Sequence, residues 1–231
     1  MAITAILVDG AFYRAKFEKN GVHQPCDAAD ALVRYCYRHL HEHSIEHTLY
    51  RIFYYDCPPS SKKTFHPLHN RSYDLSKSDR HNWMVSFLNE LRKKRKVALR
   101  LGYLDEVNAE YTLRQSSARE IVLKKKSVDE LTDSDFVPSF KQKGVDMRIG
   151  MDIASLSYKK QVNQIVLITG DADFVPAAKL ARREGIDFVL DPLGHPIKDD
   201  LFEHIDGKRS CGDPYQVART KIKNKVSRSS N

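Results

Sequence analysis

Short apolar runs recur along the chain, and their lengths are those of strands buried in a parallel sheet. The clearest runs cover residues 2–9, 164–170 and 186–190. Another, rich in aromatic and β-branched residues, begins at His47, and a fifth begins near Val97. Apolar runs of this length, bounded by Gly, Pro or Asp, are typical of buried strands. The pattern therefore predicts five core strands.

Apolar residues at helical spacing fill most of the intervals between these runs. One pattern is capped by Asp27, another follows Gly144, and a third ends at Gly185. The predicted apolar stripes include Ala28, Ala31, Leu32, Tyr35, Cys36, His39 and Leu40, then Trp83, Phe87 and Leu91, and then Val145, Ile149, Ile153 and Leu156. Strands that alternate with helices predict an α/β fold, with a mainly parallel central sheet and helices on both faces.

Two segments depart from this alternation. Two strand-like pieces flank residues 115–118, which favours an inserted hairpin at about residues 106–136, although an insertion without regular structure stays open. After residue 206 the chain becomes polar and basic. We therefore expect one domain over residues 1–206 and a basic tail over residues 207–231.

Composition favours a polyanionic partner. Lys and Arg number 38 against 30 Asp and Glu, a formal charge of +8, and basic proteins of this kind often bind nucleic acid. The four cysteines form no CxxC pair, and the ten histidines, four of them within residues 39–47, lack a zinc spacing. No signal-peptide pattern or membrane-length apolar run occurs. We expect a cytoplasmic protein that does not enter a membrane.

Four aspartates are candidates for one shared site. Asp9 ends the first predicted strand, Asp171 and Asp173 follow the strand at 164–170, and Asp146 begins the helix before that strand. Ligands collect at the carboxyl ends of strands in open parallel sheets. Clustered carboxylates raise one another's pKa, a cost that a hard divalent cation such as Mg²⁺ or Mn²⁺ offsets. The pattern predicts a cation site there.

Each aspartate also has a structural interpretation. Asp9 precedes Gly10 and suits a turn, while Asp146 in a first helical turn complements the helix dipole. Asp173 could cap the following helix. Taken singly, each acid is explained by local structure, whereas the common placement of all four favours a site.

Three stretches carry a resemblance to a known family. "ILVDGAFY", "KGVDMRIGMDI" and "VLITGDADFVPAAKLARREGIDFVL" resemble the signature blocks of the NYN domain, in particular its LabA-like branch, a relative of PIN-domain ribonucleases. The resemblance runs from about Ile3 to Pro192. It implies a PIN-like three-layer sandwich and an acidic, metal-dependent centre acting on RNA, single-stranded or structured, with tRNA included. The acidic positions of the family fall on Asp9, Asp146, Asp171 and Asp173.

Further residues were considered for supporting roles. Thr169, Lys143, Arg114 and Tyr13 are candidates for substrate binding through a hydroxyl, positive charge or base stacking. Asp152 lies about 120° around its predicted helix from Asp146 and ranks below the four, and Asp56 is a candidate supporting acid. Related domains often carry Asn shortly after the first Asp-Gly, whereas Phe12 and its neighbours stand here.

The predicted function is a metal-dependent endoribonuclease that hydrolyses RNA phosphodiester bonds. The alternative is a catalytically weak or inactive RNA-binding or regulatory module of the same fold. A phosphatase of the haloacid dehalogenase type would need Asp-x-Asp on the first strand, where the second position is Ala11. A homo-oligomer is compatible with either function.

Overall fold

A computed structural model describes residues 1–19, 24–42, 45–69 and 71–213. The strands are β1 (Ala2–Asp9), β2 (His41–Glu42), β3 (Ile45–Asp56), β4 (Lys63–His66), β5 (Arg71–Asp74), β6 (Val97–Leu101), β7 (Tyr103–Leu113), β8 (Phe136–Lys143), β9 (Gln164–Ile168), β10 (Asp187–Asp191) and β11 (Gly207–Lys208). The helices are α1 (Gly10–Lys19), α2 (Pro25–Arg38), α3 (Asp79–Arg92), α4 (Gln115–Val122), α5 (Val145–Tyr158), α6 (Val175–Arg183) and α7 (Asp199–Glu203).

The chain forms two compact units. The first comprises residues 1–56, 86–102 and 144–231, and the second comprises residues 57–85 and 103–143. The second unit is larger than the insertion predicted at 106–136, because it also includes the chain around β4 and β5.

A parallel sheet of six strands forms the first unit, as predicted. Its order is β11-β10-β9-β1-β3-β6, and the short β2 adds an antiparallel pair beside β3. The predicted core strands carry the most buried side chains, among them Ile6, Leu7, Ile52, Leu167 and Phe188. Strands buried this completely need cover on both faces, and helices flank the sheet. The predicted α/β architecture is confirmed.

The predicted helical stripes face the core. Ala31, Leu32 and Tyr35 of α2 are buried, as are Ile149 and Ile153 of α5. One detail differs: α2 begins at Pro25 and is preceded by Gln24, so Asp27 lies in its first turn instead of capping it. Pro suits this position because the first helical N–H groups have no intrahelical partner.

The hairpin prediction was wrong about its second strand. Residues predicted as that strand form helix α4, and β7 pairs instead with β8, in antiparallel register from Tyr103 opposite Lys143 to Leu113 opposite Phe136. The Ile-Val-Leu sequence at 121–123 resembles a strand, but Ser117 is buried one turn earlier and bonds Asp135 across 2.7 Å. This tertiary contact favours the helix over local β-propensity.

The predicted tail does not begin at residue 207. Gly207 and Lys208 form β11, which pairs in parallel with β10 at the sheet edge. The basic segment at residues 219–231 lies outside the described residues. No helix of the described part is long and apolar enough to cross a membrane.

Candidate functional site

Strand order places the carboxyl end of β1 between those of β9 and β3. The chain moves from β1 to β3 on one side and later returns to β9 on the other, so the order reverses at the β1–β9 pair. Val8 lies opposite Ile168 in this pair, which brings Asp9 and Thr169, one residue further along each strand, to the same edge. Such a switch point is where open parallel sheets bind ligands.

Two hydrogen bonds fix the Asp9 carboxylate. The Phe12 amide donates to Oδ1 over 3.1 Å, and the Thr169 hydroxyl donates to Oδ2 over 3.1 Å. Burial raises the pKa of Asp9, these two bonds lower it, and the negative charges of Asp146 and Asp56 raise it again, with a net increase. Two hydrogen bonds thus hold the Asp9 carboxylate in one orientation, close to the negative charges of Asp146 and Asp56.

Asp171 is positioned by the turn after β9. It precedes a short 3₁₀ turn, Ala172–Phe174, and its Oδ1 accepts the Asp173 amide over 3.0 Å. Its own amide donates to the Thr169 hydroxyl over 3.3 Å. Asp171 therefore caps this 3₁₀ turn, whereas the cap of α6 that Asp173 could have provided is absent, since Phe174 precedes α6 and no side chain among the described residues caps it. Both carboxylates remain exposed.

Asp146 joins the group from α5. Gly144, at φ 75°, provides the left-handed backbone that begins this helix, and Asp146 lies exposed in its first turn. Burial raises the pKa of Asp146, and the charges of Asp171 and Asp173 raise it further. Asp146 therefore lies within electrostatic range of each of the other three predicted aspartates, Asp9, Asp171 and Asp173.

The four carboxylates do not form a compact cage. Within the described residues, no three of them have oxygens that all lie within 4.8 Å of one another. Mg²⁺ commonly takes one or two carboxylates and keeps several waters, so a wide set of acids suits it better than a closed set would. The exposed oxygen donors and their mutual repulsion fit a hydrated divalent cation.

A buried ion pair packs against Gly10, the residue that follows Asp9. Arg14 contacts both oxygens of Asp56 over 2.8 Å each, and the Tyr54 hydroxyl donates to Oδ2 of Asp56 over 2.8 Å. A Cβ on Gly10 would lie 2.5 Å from that same oxygen, so only glycine fits between Asp9 and this pair. Asp56, predicted as a supporting acid, is fully buried and holds the start of α1 in place.

The Phe12 ring packs against Gly170, in the turn that follows β9. A Cβ on Gly170 would lie 2.6 Å from the Phe12 ring, which also meets His195 edge-on at 5.7 Å. Gly170 therefore makes room for Phe12, a packing role in addition to its place in the turn. Nothing in the sequence pattern had singled out His195, because the loop after β10 has no periodicity.

Two further aspartates are already bound by other side chains. Asp152 accepts the Tyr55 hydroxyl at 2.8 Å and Arg100 Nε at 2.9 Å. Asp191, which the sequence analysis did not consider, is fully buried and accepts bonds from His39 and from Ser210, among others. Both acids are thereby committed to structural networks, which agrees with the lower rank given to Asp152.

The predicted substrate-facing residues separate into different environments. Tyr13 has no exposed surface, so the prediction that it stacks on a base was wrong. It lies on α1, a helix that the sequence pattern did not predict, and its side chain is buried in the core. Thr169 is also fully buried and is occupied by Asp9 and Asp171, which makes it a positioning residue. Arg114, which bonds the Ser134 carbonyl at 2.7 Å, and Lys143 are exposed and belong to the second unit.

Comparison with known proteins gives one family match. The family model described as the NYN domain matches residues 74–193 of the 231-residue chain. That range includes Asp146, Asp171 and Asp173, and Asp9 precedes it.

Two individual proteins are also similar to the chain. An uncharacterized protein of Methanocaldococcus jannaschii is 24% identical over 100 residues, which are 43% of this chain and 42% of that protein. The chain thus matches less than half the length of this relative. A crystal structure of a protein of unknown function from Vibrio parahaemolyticus has a TM-score of 0.45 and 13% identity, over 92% of this chain and 94% of that one.

Proposed function

Because this chain belongs to the NYN domain family, whose members are part of the PIN-like nuclease superfamily, we propose that it is a metal-dependent endoribonuclease. The site would comprise Asp9, Asp146, Asp171 and Asp173. The observation that carries the proposal is that Asp9 and Asp171 lie at the carboxyl edge of the β1–β9 pair, joined through Thr169, with the charge of Asp146 near enough to raise the pKa of Asp9. We further assign the chain to the LabA-like branch, on the strength of its signature blocks.

The four carboxylates would hold Mg²⁺ or Mn²⁺, partly through water. When bound, such an ion polarises a phosphodiester and lowers the pKa of a coordinated water. The chain's own contribution is to hold Asp9 in one orientation through Thr169 and the Phe12 amide, and Asp171 through its capping bond. Side chains held in this way need little reorganisation when charge develops in the reaction.

RNA is the proposed substrate, with single-stranded RNA and tRNA both included. Exposed cations would contact the phosphates without reading sequence, and Lys143 and Arg114 remain the candidates for this. The formal charge of +8 is consistent with a polyanionic substrate. Assembly into a homo-oligomer remains part of the proposal.

A labelled panel of single-stranded RNA, tRNA and single-stranded DNA tests the activity. Wild type with Mn²⁺ or Mg²⁺ should cleave RNA internally, and excess EDTA or the substitution Asp171→Asn should abolish the products. Asp129→Asn is the matched control, because Asp129 is an exposed acid of the second unit. Folded wild type that binds Mn²⁺ and cuts no member of the panel would contradict the proposal.

A second candidate is an RNA-binding module without turnover. Phe12 favours it, because an apolar ring lies near a position where related domains often carry Asn. This function predicts RNA binding that survives both EDTA and Asp171→Asn, with no cleavage under any condition. The same panel, analysed for retention of RNA as well as for products, distinguishes the two functions.

A further inference from the structure

The second unit contains a cluster of two histidines and an aspartate that is separate from the four aspartates. One ring nitrogen each from His66 and His69 and one carboxylate oxygen of Asp133 all lie within 4.8 Å of one another. We infer that this cluster, called here the histidine cluster, binds a divalent transition-metal ion of the zinc type. This inference does not depend on the proposed nuclease function.

Local structure brings the three side chains together. His66 ends β4 and lies opposite Arg71 of β5, so His69 falls in the turn between these strands. Asp133 begins a short 3₁₀ turn immediately before β8. The histidines are thus fixed by a hairpin, and the carboxylate approaches from a segment more than sixty residues further along the chain.

Aromatic neighbours hold His66 in place. Its ring packs against Tyr111 at 4.6 Å, against Phe136 at 5.5 Å and against His69 at 5.1 Å between centroids. Only 5% of His66 is exposed. A histidine confined in this way has few rotamers to lose when it binds an ion, which lowers the cost of binding.

His66 also has an unsatisfied polar atom. Its Nδ1 is buried and has no hydrogen-bond partner among the described residues. A buried polar atom without a partner typically costs about 1–3 kcal/mol. The hydrogen bonds of the described residues therefore leave part of the polar capacity of the His66 ring unused, whereas a purely structural histidine would be expected to have a partner.

The other two side chains are accessible and already paired. His69 Nε2 contacts Asp133 Oδ1, and these side chains are 39% and 66% exposed. An ion can therefore reach them from solvent. Two ligand atoms of a tetrahedral Zn²⁺ site lie about 3.4 Å apart, given bonds of about 2.1 Å. The ligand atoms of the three side chains, all within 4.8 Å of one another, lie in the range of that spacing.

The donor set determines the class of ion. Two imidazole nitrogens and one carboxylate oxygen suit Zn²⁺, Co²⁺ or Ni²⁺, whereas Mg²⁺ and Ca²⁺ prefer oxygen alone. Water would complete the coordination. An ion bound here would join the β4–β5 hairpin to the segment preceding β8, both within the second unit.

Titration of the metal-free full chain with Co²⁺, followed by visible absorption and then by displacement with Zn²⁺, tests this site. His69→Gln and Asp133→Asn are the main variants, because both side chains are exposed and should tolerate replacement. Removal of a residue that only hydrogen-bonds a metal ligand typically lowers metal affinity about 10- to 100-fold. Removal of a ligand itself should therefore lower the affinity at least about tenfold. His41→Gln and Asp129→Asn are exposed controls outside the histidine cluster.

Binding at the aspartates must be separated from binding at the histidine cluster. We expect Asp171→Asn to retain the Co²⁺ spectrum and the Zn²⁺ affinity that His69→Gln and Asp133→Asn lose. Zn²⁺ should also raise the Tm of wild type more than that of the double variant His69→Gln/Asp133→Asn. No binding of Co²⁺ or Zn²⁺ by wild type, or equal binding by wild type and the double variant, would leave only a His69–Asp133 ion pair and overturn the inference.

Discussion

The Thr169 hydroxyl donates a hydrogen bond to Oδ2 of Asp9 over 3.1 Å, although 160 residues separate them in the chain. The same hydroxyl accepts the Asp171 amide over 3.3 Å. One buried side chain after β9 thus links the Asp9 carboxylate to the backbone of Asp171. Two consequences follow: Thr169 should matter for activity without touching substrate, and its loss should change the titration of Asp9.

Thr169→Val tests this positioning role. Valine matches the shape of threonine, so the fold should survive with a loss of about 1 kcal/mol for the missing hydrogen bonds. Because the bond from Thr169 lowers the pKa of Asp9, the acid limb of the pH–rate profile should move to higher pH. Thr112→Val, at an exposed site on β7, is the control. An unchanged profile with unchanged rate would show that the bond is incidental.

Asp171→Asn and Asp171→Ala separate the capping role from the proposed chemical role. Asparagine can still accept the Asp173 amide, so its stability should match wild type, whereas alanine should lose about 1 kcal/mol. Both variants should lose at least about 100-fold in cleavage rate, equal to about 2.7 kcal/mol. Urea denaturation and single-turnover rates measure the two effects separately. An active Asp171→Asn would remove this residue from the proposed centre.

Asp146→Asn should stabilise the metal-free protein. The pKa of Asp146 is higher in the folded protein than in the unfolded chain, so the ionised carboxylate lowers the free energy of unfolding when the pH is above the folded pKa. This loss of stability disappears as the pH falls towards the unfolded pKa of about 3.9. In EDTA at pH 7, the variant should gain about 0.3 kcal/mol, the size typical of exposed like-charge pairs. The gain should shrink in high salt and at lower pH, and Mn²⁺ should stabilise wild type more than the variant. A loss of stability at pH 7 would contradict this account.

Alanine substitutions at three glycines should change the free energy of unfolding by amounts that differ in sign and size. Gly10→Ala would drive a Cβ into the buried Arg14–Asp56 pair and should cost at least about 2 kcal/mol. Gly170→Ala would place a Cβ against the Phe12 ring and should cost about 1 kcal/mol, with partial rescue by Phe12→Leu. Gly150→Ala, in open space on α5, should stabilise by about 0.5–1 kcal/mol. Equal effects at Gly10 and Gly150 would refute the close packing described at Asp9.

The core of the fold could be predicted because its signals are local. Strands β1 and β9 are largely apolar runs, and the stripe from Val145 to Leu156 has helical spacing, so the apolar pattern alone predicts these elements. The ends of parallel strands share an edge, which is why Asp9 and Asp171 could be related to each other without a structure.

The second unit could not be predicted in the same way, because tertiary contacts decide it. Strand β8 has a largely exposed, polar sequence and gains its identity from pairing with β7. In the first unit, helix α1 carries a weak apolar pattern, so the pattern did not predict that Tyr13 points inward. The histidine cluster combines a hairpin with a distant turn, so the sequence pattern alone, in which the histidines lack a zinc spacing, did not indicate it.

The rate at which wild type and Asp9→Asn cleave the best RNA of the panel, at single turnover in Mn²⁺, tests the central claim most directly. Asparagine keeps the shape of Asp9 and can still accept a hydrogen bond, so folding and RNA affinity should be retained. The account predicts a rate at least about 100-fold below that of wild type, since the charge that would hold the cation is lost. A folded Asp9→Asn that cleaves as fast as wild type would contradict it.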